Sequence, residues 1–280
     1  MIVNSITWDF DPEIFSIGNH EVRWYGLMFA LGFLAGYQIF KRYLRAGKLT
    51  LEMVDSLLLY TAIGGVVGAR LGHCLFYEPG YFLKHPLQIL MVWKGGLASH
   101  GGIVGLLLAL WLYTRKFKIP FLWLMDRIAI GVAPANAFIR IGNFFNSEIY
   151  GLPTKLPWGV EFVRDRLYDG TTGEILPTVA RHPTQIYEAL SYLLIFLVSF
   201  LFYRKKYLDI RDGYIFSLSM IAQFVARFLI EFLKNDQVAF EAGMNFNMGQ
   251  LLSLPFIFAG IVLLVWTKAK PRYFTKEPVA

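Results

Sequence analysis

Polar side chains interrupt an apolar part of the chain at "AFIRIGNFFNSEIYGLP", residues 137–153. Arg140, Asn143, Asn146 and Glu148 follow one another there at short intervals. An ionisable side chain at the centre of a membrane helix costs about 2.5 to 3.5 kcal/mol on insertion scales, so it needs a partner or a task. An arginine fork suits phosphate oxygens, so anion binding is the chemistry that these residues could perform.

A second candidate for chemistry is His100, in the stretch "SHGG". A histidine can act as an acid or a base near neutral pH, and the following glycines leave room for a substrate to approach closely. The "GxSxG" motif of a serine nucleophile is missing, and the five histidines show no "HExxH" spacing typical of a metal site.

The composition indicates that these residues lie in a membrane protein. Of the 280 residues, 56% are hydrophobic and only 17% are charged, whereas a soluble chain carries about 25% charged residues. The predicted fold class is an all-α polytopic membrane protein with about seven transmembrane helices. The predicted spans are 24–40, 54–77, 97–113, 122–142, 184–203, 214–233 and 249–267.

The distribution of basic residues predicts the orientation of these spans. Fifteen lysines and arginines fall in one alternate set of loops and the C-terminal tail, and the short segments of the other set hold four. Because basic residues favour the cytoplasmic side, we expect the N-terminus outside and the C-terminus inside. The net charge of +7 reflects this bias and does not indicate nucleic-acid binding. Asp126 and Arg127 then lie near the cytoplasmic start of a helix, where we expect a solvated or snorkelling role rather than a role in the site.

The chain is predicted to form one membrane domain, residues 1–280, with one external cap. The cap is the insertion 145–183, in which "GLPTKLPWG" and "YDGTTGEILPT" space proline and glycine like turns, so we expect it to be small and irregular or β-containing. No similarity between the two halves of the chain is evident, which argues against transporter folds built from inverted repeats.

Given this orientation, six helices place polar side chains in the outer half of the membrane. Arg70, Arg140 and Arg227 outnumber the deep acids Glu188 and Glu231, so the shared cavity should attract an anion. An anion at the outer leaflet suggests a phospholipid head group. The other candidates for lining the cavity are Tyr25, Tyr77, His100, Asn143, Asn146, Glu148 and Gln185.

Each of these residues also has a purely structural interpretation. Arg227 and Glu231, spaced i and i+4, could neutralise each other. Arg140 with Asn143 could bond backbone carbonyls at a helix end, and Arg70 with His73 could join two helices. Tyr25 fits an interfacial aromatic belt.

Long motifs make the chain resemble a known family. "RIGNFFNSEIYG", residues 140–151, is similar to the signature of the prolipoprotein diacylglyceryl transferases. The blocks "RWYGLMFALGF", "GARLGHCLFY", "GGLASHGGIVG", "RHPTQIYEAL", "RFLIEFLK" and "MGQLLSLP" extend the resemblance over nearly the whole chain.

The resemblance implies an enzyme of the bacterial cytoplasmic membrane with its active site facing the outer leaflet. Such enzymes transfer the diacylglyceryl group of phosphatidylglycerol to the lipobox cysteine thiol of preprolipoproteins and release glycerol phosphate. It places functional weight on Tyr25, His100, Arg140, Asn143, Glu148, Gly151 and Arg227. Gln223 and His73 stand where tyrosines are familiar in this family.

These residues suggest a mechanism that needs neither a cofactor nor a metal. Arg140 and Arg227 would hold the phosphate and offset the charge on the leaving group. His100, or alternatively Glu231, would take the thiol proton. Asn143, Asn146 and Glu148 would fasten the head group or the cap. A transporter or lipid flippase with an anion-binding vestibule is the rival hypothesis, although the polar residues stop midway across the membrane.

Overall fold

The computed structural model describes residues 5–18, 20–46, 49–92, 95–165, 178–206, 210–235 and 244–269. Within these ranges the chain is mainly helical. The helices are α1 (Trp24–Ala46), α2 (Leu51–Phe76), α3 (Pro79–Phe82), α4 (Ser99–Phe117), α5 (Phe121–Phe145), α6 (Thr184–Lys206), α7 (Tyr214–Glu231) and α8 (Met248–Ala269). A 3₁₀ helix covers Pro86–Leu90, and the strands are β1 (Ile6–Trp8), β2 (Glu13–Ile17), β3 (His20–Arg23) and β4 (Val160–Phe162).

Five of the described helices, α2 and α5 to α8, are long and apolar enough to cross a membrane. Large apolar side chains such as Leu59, Leu194 and Val262 are exposed along them. Helices suit hydrocarbon because their backbone hydrogen bonds are satisfied within the segment. The expectation of a mainly α-helical, multi-pass membrane protein is thereby confirmed, and the count of seven spans and the orientation of the termini stay predictions.

The described residues form two compact units. Unit 1 combines the residues up to Ile39 with those from Asp126 onward, and unit 2 is formed by Phe40–Met125.

In unit 2, α2 and α4 pack together through glycines. A Cβ atom added to Gly64, Gly68 or Gly72 of α2 would lie closer than 3.0 Å to an atom of α4, in most cases a backbone atom of Gly101 or Gly105. Small residues of this kind allow two membrane helices to approach with their backbones in contact. Since Gly101 follows His100 directly, this contact fixes the helix that carries His100.

In unit 1, short strands join distant parts of the chain. β1 pairs in parallel with β4, so that Ile6 lies opposite Val160 and Trp8 opposite Phe162. β2 and β3 form an antiparallel hairpin with an irregular register near Phe15. The described part of the predicted cap contains β4, and isolated β-bridges tie residues 153 and 160 to Arg181.

An aromatic cluster packs the N-terminal segment against the end of α5. The ring of Phe10 lies 5.3 Å from that of Trp8, 5.6 Å from that of Trp24 and 5.0 Å from that of Phe145, between ring centroids. The ring of Trp8 also lies 4.4 Å from that of Phe144. Aromatic pairs at such distances stabilise a contact beyond their burial alone.

Asp126 and Arg127 are buried, so the expectation of a solvated or snorkelling role is wrong. The Asp126 carboxylate accepts hydrogen bonds from the backbone N–H groups of Gly213 (2.7 Å) and Phe216 (2.8 Å). These groups begin α7, where the first backbone donors of a helix lack internal partners. Arg127 donates to the Tyr203 hydroxyl at 3.1 Å. Asp126 therefore caps α7 from a neighbouring helix, a role that sequence distance conceals.

Some sequence-based predictions lie outside the described residues. These are the turn-rich stretch 168–177 of the cap, the basic residues Lys48 and Lys94, and those at positions 270–276.

Candidate active site

A pocket of about 330 Å³ opens in unit 1 beside the signature segment. We call it the arginine pocket, because the two charged residues that line it are Arg140 and Arg227. Its other lining residues are polar amides, tyrosines and apolar side chains: Tyr25, Asn136, Ile139, Asn143, Ile149, Tyr192, Gln223 and Phe224. Among the described residues no carboxylate lines this pocket, and its two charged lining side chains are both cationic, which suits an anion.

Arg140 is held along one edge of its guanidinium. Its Nε lies 2.8 Å from Oε2 of Glu188, a carboxylate that is almost completely buried. Its Nη1 donates to Oδ1 of Asn143 at 3.4 Å. α5 supplies Arg140 and Asn143 one turn apart, and α6 supplies Glu188. These contacts orient the guanidinium beside the pocket.

Arg227, in α7, is less constrained. Its Nε lies 3.6 Å from Oε1 of Glu231, a distance too long for a hydrogen bond. Within the described ranges this buried Nε has no hydrogen-bond partner. An unsatisfied buried donor is costly, because it has lost its contact with water. The Arg227 side chain as a whole is 36% exposed and lines the arginine pocket.

The acids behind the two arginines are bridged by Lys234. Its Nζ lies 3.0 Å from Oε1 of Glu188 and 3.0 Å from Oε1 of Glu231, and the three side chains are almost wholly buried. Asn247 also donates to Oε2 of Glu231 at 3.2 Å. We call Arg140, Glu188, Lys234, Glu231 and Arg227 the buried charge network. Through this network, Glu188 of α6 contacts Lys234, and Lys234 in turn contacts Glu231 of α7, the neighbour of Arg227.

The loop after α5 is organised by Glu148. Its Oε1 accepts hydrogen bonds from Nδ2 of Asn143 at 2.8 Å and of Asn146 at 3.3 Å. Its backbone carbonyl accepts a hydrogen bond from Nε2 of Gln185 at 2.7 Å, and Gln185 is fully buried. The predicted residues Asn143, Asn146, Glu148 and Gln185 thus form one hydrogen-bonded cluster beside Arg140.

The backbone of this loop is strained next to the pocket. Ile149 adopts a φ of 60°, and Ser147 a φ of 55°. A β-branched residue rarely adopts this left-handed conformation, and such strain concentrates at functional sites. Since Ile149 lines the arginine pocket, its conformation shapes the wall of that pocket.

Gly151 is required by close packing. A Cβ atom at this position would lie closer than 3.0 Å to the Leu233 carbonyl oxygen and to the side chains of His182 and Thr184. The Gly151 N–H donates to the His182 carbonyl at 2.8 Å, and Gly151 forms a β-bridge with Lys234. The end of the signature segment therefore holds the backbone of the lysine that bridges the two buried acids.

In unit 2, Arg70 is engaged by backbone carbonyls. Its guanidinium donates to Gln88 (2.6 Å), Ile89 (3.0 Å), Gly95 (2.5 Å) and Gly96 (3.2 Å). Because an arginine has five N–H groups, these four bonds use most of its capacity. They give Arg70 a clear structural role in shaping the loop before α4, and its proposed contact with substrate stays a prediction.

The remaining candidates of unit 2 are more exposed than Arg70. His100 is exposed at the start of α4, and Tyr77 is exposed after α2. His73 stacks its ring on that of Tyr77 at 5.7 Å between centroids, and its Nε2 lies 3.6 Å from Oε1 of Glu78.

The structure thus brings most of the predicted site residues together in unit 1 and adds others that the sequence analysis missed. Tyr25, Arg140, Asn143 and Arg227 share the arginine pocket, and the acids lie behind it. Asn136 and Lys234 were missed, and Gln223 was grouped with Arg227 and Glu231 as an outer polar residue and noted as a departure from the family, without a role in the site. An amide inside an apolar run and a lysine just after a helix are both common, so neither stands out in a sequence.

Comparisons with known proteins identify the family of the chain. The family model of the prolipoprotein diacylglyceryl transferases matches residues 12–266. Proteins named phosphatidylglycerol–prolipoprotein diacylglyceryl transferase are 48% identical in Tolumonas auensis, covering 95% of this chain and 99% of the relative, and 43% identical in Porphyromonas gingivalis, covering 95% and 96%. The relative of the same name in Nitrosomonas europaea is 42% identical, covering 92% and 90%. The chain therefore belongs to the prolipoprotein diacylglyceryl transferase family.

Proposed function

We propose that this protein transfers the diacylglyceryl group of phosphatidylglycerol to the cysteine thiol of a prolipoprotein. The observation that carries the proposal is the arginine pocket, whose charged lining residues are Arg140 and Arg227. The names of its relatives, which it matches over nearly its whole length, support the same activity. The rival transport hypothesis has no comparable support.

In the proposed reaction, the sulfur of the lipobox cysteine attacks the glycerol carbon that carries the phosphate ester. A carbon–sulfur bond forms, the carbon–oxygen bond breaks, and glycerol phosphate leaves with the electron pair. Arg140 and Arg227 bind the phosphate and stabilise the charge that grows on its oxygen. Preorganised donors of this kind are worth about 3 to 4 kcal/mol each in other enzymes.

The thiol proton goes to His100 in this proposal. A cysteine thiol is mostly protonated near neutral pH, so it needs a base. Glu231 is a weaker alternative, because its Oε1 accepts a hydrogen bond from Lys234 and its Oε2 one from Asn247. We assign Glu231 and Glu188 to positioning the two arginines, and Tyr25, Asn143, Asn146 and Glu148 to shaping the head-group site.

The proposed setting is the bacterial cytoplasmic membrane, with the site opening to the outer leaflet. One membrane domain of seven spans, with the N-terminus outside, would carry the cap 145–183 on the outer side. The lipid bilayer then delivers phosphatidylglycerol and the signal peptide of the preprolipoprotein by lateral diffusion.

The proposal is tested by incubating the purified protein with labelled phosphatidylglycerol and a lipobox peptide. We expect the peptide cysteine to gain the mass of the diacylglyceryl group, and a peptide with serine in its place to gain none. Lipid movement between leaflets without any peptide modification would support the transport hypothesis instead.

The role of His100 has its own test in the same assay. His100→Gln keeps some hydrogen bonding but removes the titratable base, so we expect transfer to fall by about 10²- to 10⁴-fold. If the variant keeps most of its rate between pH 6 and 9, another residue accepts the thiol proton.

A further inference from the structure

Two layers of polar side chains line the arginine pocket, one helical turn apart. In α5, Asn136 precedes Arg140 by four residues, and in α7, Gln223 precedes Arg227 by four. Four residues advance a helix by about 6 Å. All four side chains line the pocket, so the arginine layer is accompanied by an amide layer at the preceding turn of each helix.

The two amides of this layer are bonded to each other. Nδ2 of Asn136 donates to Oε1 of Gln223 at 3.0 Å. A side-chain amide carries two N–H donors on its nitrogen. The hydrogen bond between the two side chains therefore leaves both N–H groups of Gln223 and one of Asn136 unused. Across the described ranges no other hydrogen bond of these side chains is found. These donors therefore have no acceptor among the described residues.

The amide layer shares the pocket with apolar side chains. These are Ile139, Ile149 and Phe224. Free N–H groups next to apolar side chains favour a ligand that carries oxygen acceptors within an otherwise apolar body. A hydrocarbon chain alone would leave the donors unsatisfied.

A phospholipid has this arrangement of groups. In a diacylglyceryl phosphate, the two acyl-ester carbonyls follow the phosphate by a few bonds, between the head group and the hydrocarbon chains. With its phosphate bound by the arginine layer, the lipid would present an ester carbonyl to the amide layer one turn away.

We propose that the Asn136–Gln223 pair binds an acyl-ester carbonyl of the lipid and makes the pocket selective for ester-linked over ether-linked lipids. The inference rests on the proposed function, in that the arginine layer binds the lipid phosphate. It assigns the pair to binding the group that is transferred. An ether oxygen lacks the carbonyl acceptor, so a dialkyl lipid of equal chain length would lose these hydrogen bonds while keeping the phosphate contact.

The experiment compares diester and diether phosphatidylglycerol of matched chain length in detergent micelles. Equilibrium binding to the purified protein and kcat/KM with one lipobox peptide are both measured. We expect the wild-type protein to prefer the diester by about 3- to 10-fold for each hydrogen bond formed. Gln223→Met, which keeps the length of the side chain without its N–H groups, should lower the preference, since only the N–H groups of Asn136 remain.

Two further variants distinguish recognition of the ester carbonyl from a hydrogen bond that only holds α5 and α7 together. Asn136→Leu should reduce the preference in the same direction as Gln223→Met, because it releases the partner amide. Ile139→Val alters another lining residue that has no polar group, and it should leave the ratio of diester to diether unchanged.

Several outcomes would overturn the inference. One is equal binding of both lipids by the wild-type protein, a result that does not depend on whether any variant folds. Another is a Gln223→Met protein whose rates fall equally for both lipids, which would mean that the hydrogen bond only holds α5 and α7 together. Absence of any peptide modification by the wild-type protein would instead reject the proposed function, and the binding ratio would still decide the role of the amide pair.

Discussion

Arg140 and Arg227 line the same pocket but are held differently. Arg140 is fixed by Glu188 and Asn143, whereas Nε of Arg227 has no hydrogen-bond partner in the described structure. The sequence revealed both residues because an arginine inside an apolar run is costly and needs an explanation. It could not reveal this difference, which depends on side chains from other helices.

The planar fork of Arg140 gives a sharp prediction. Lysine at this position would keep the charge but lose the second hydrogen bond, and a charged hydrogen bond is worth about 1.5 to 3 kcal/mol, or about 10- to 150-fold in rate. We therefore expect Arg140→Lys to fold normally and to transfer diacylglyceryl at least tenfold more slowly at saturating phosphatidylglycerol. The measurement is turnover at matched amounts of folded protein.

A control for this change is Arg164→Lys. Arg164 is partly exposed and pairs with Asp9 at 2.8 Å and with Asp11 at 2.9 Å. The pKa of Asp11 is lowered, first by the hydrogen bond from the backbone N–H of Glu13 and then by Arg164. Exposed ion pairs are worth little, so this variant should keep the wild-type turnover. Equal turnover of Arg140→Lys would make Arg140 a structural residue at the end of α5.

Lys234 shows what sequence analysis misses at this scale. It follows α7, where basic residues are common, yet its side chain is 1% exposed and bridges Glu188 and Glu231. Removing one partner of a buried ion pair costs about 3 to 5 kcal/mol, because a charge is left uncompensated. We expect Lys234→Met to lower the free energy of unfolding by about this amount, measured by thermal unfolding in detergent.

Two matched changes test that interpretation of Lys234. Lys155→Met alters an exposed lysine of the cap and should leave stability nearly unchanged. Adding Glu231→Gln to Lys234→Met removes one of the orphaned carboxylates and should recover part of the loss. No loss of stability in Lys234→Met would show that the lysine does not compensate the two acids.

At the scale of elements, long apolar runs made the helices predictable and the turn-rich insertion indicated an irregular or β-containing cap, whereas the positions and partners of the strands were not predictable. β1 and β4 have three residues each and are far apart in the sequence, since Ile6 pairs with Val160. Strands this short show no hydrophobic periodicity that would predict them. The close approach of α2 and α4 also escaped prediction, because glycines are frequent in membrane helices and do not identify their partners.

The contact between α2 and α4 can be tested with two glycines of one helix. A Cβ atom at Gly68 would lie closer than 3.0 Å to backbone atoms of Gly101 and Gly105, whereas one at Gly65 would meet no atom within 4 Å. We expect Gly68→Ala to destabilise the protein by about 1 to 3 kcal/mol through overpacking. Gly65→Ala should have no destabilising effect, because alanine favours a helix.

Thermal unfolding of both variants in the same detergent makes this comparison. Similar stability of the two proteins would mean that α4 does not contact α2 through its backbone. Because His100 begins the turn that contains Gly101, Gly68→Ala should also reduce the rate of transfer.

At the scale of the whole molecule, the orientation in the membrane stays a prediction from the basic loops. Single cysteines at positions 42, 115 and 204 should be protected from an impermeant maleimide in intact cells, and cysteines at 155 and 158 should react. Cys74→Ala provides the background, since the native cysteine is buried and single. Labelling of the cap from the cytoplasmic side would reverse the predicted topology.

The parallel pairing of β1 with β4 also sets an order of assembly. Ile6–Trp8 is synthesised first among the strands, but its partner Val160–Phe162 follows roughly 150 residues later, which corresponds to about 8 to 30 s of translation at usual rates. During that interval the edge of β1 has no β4 to pair with, and α1 to α5 are made before the strand can close. The sheet formed by β1 and β4 in unit 1 is therefore completed late, when α5, which carries the first arginine of the pocket, has already been synthesised.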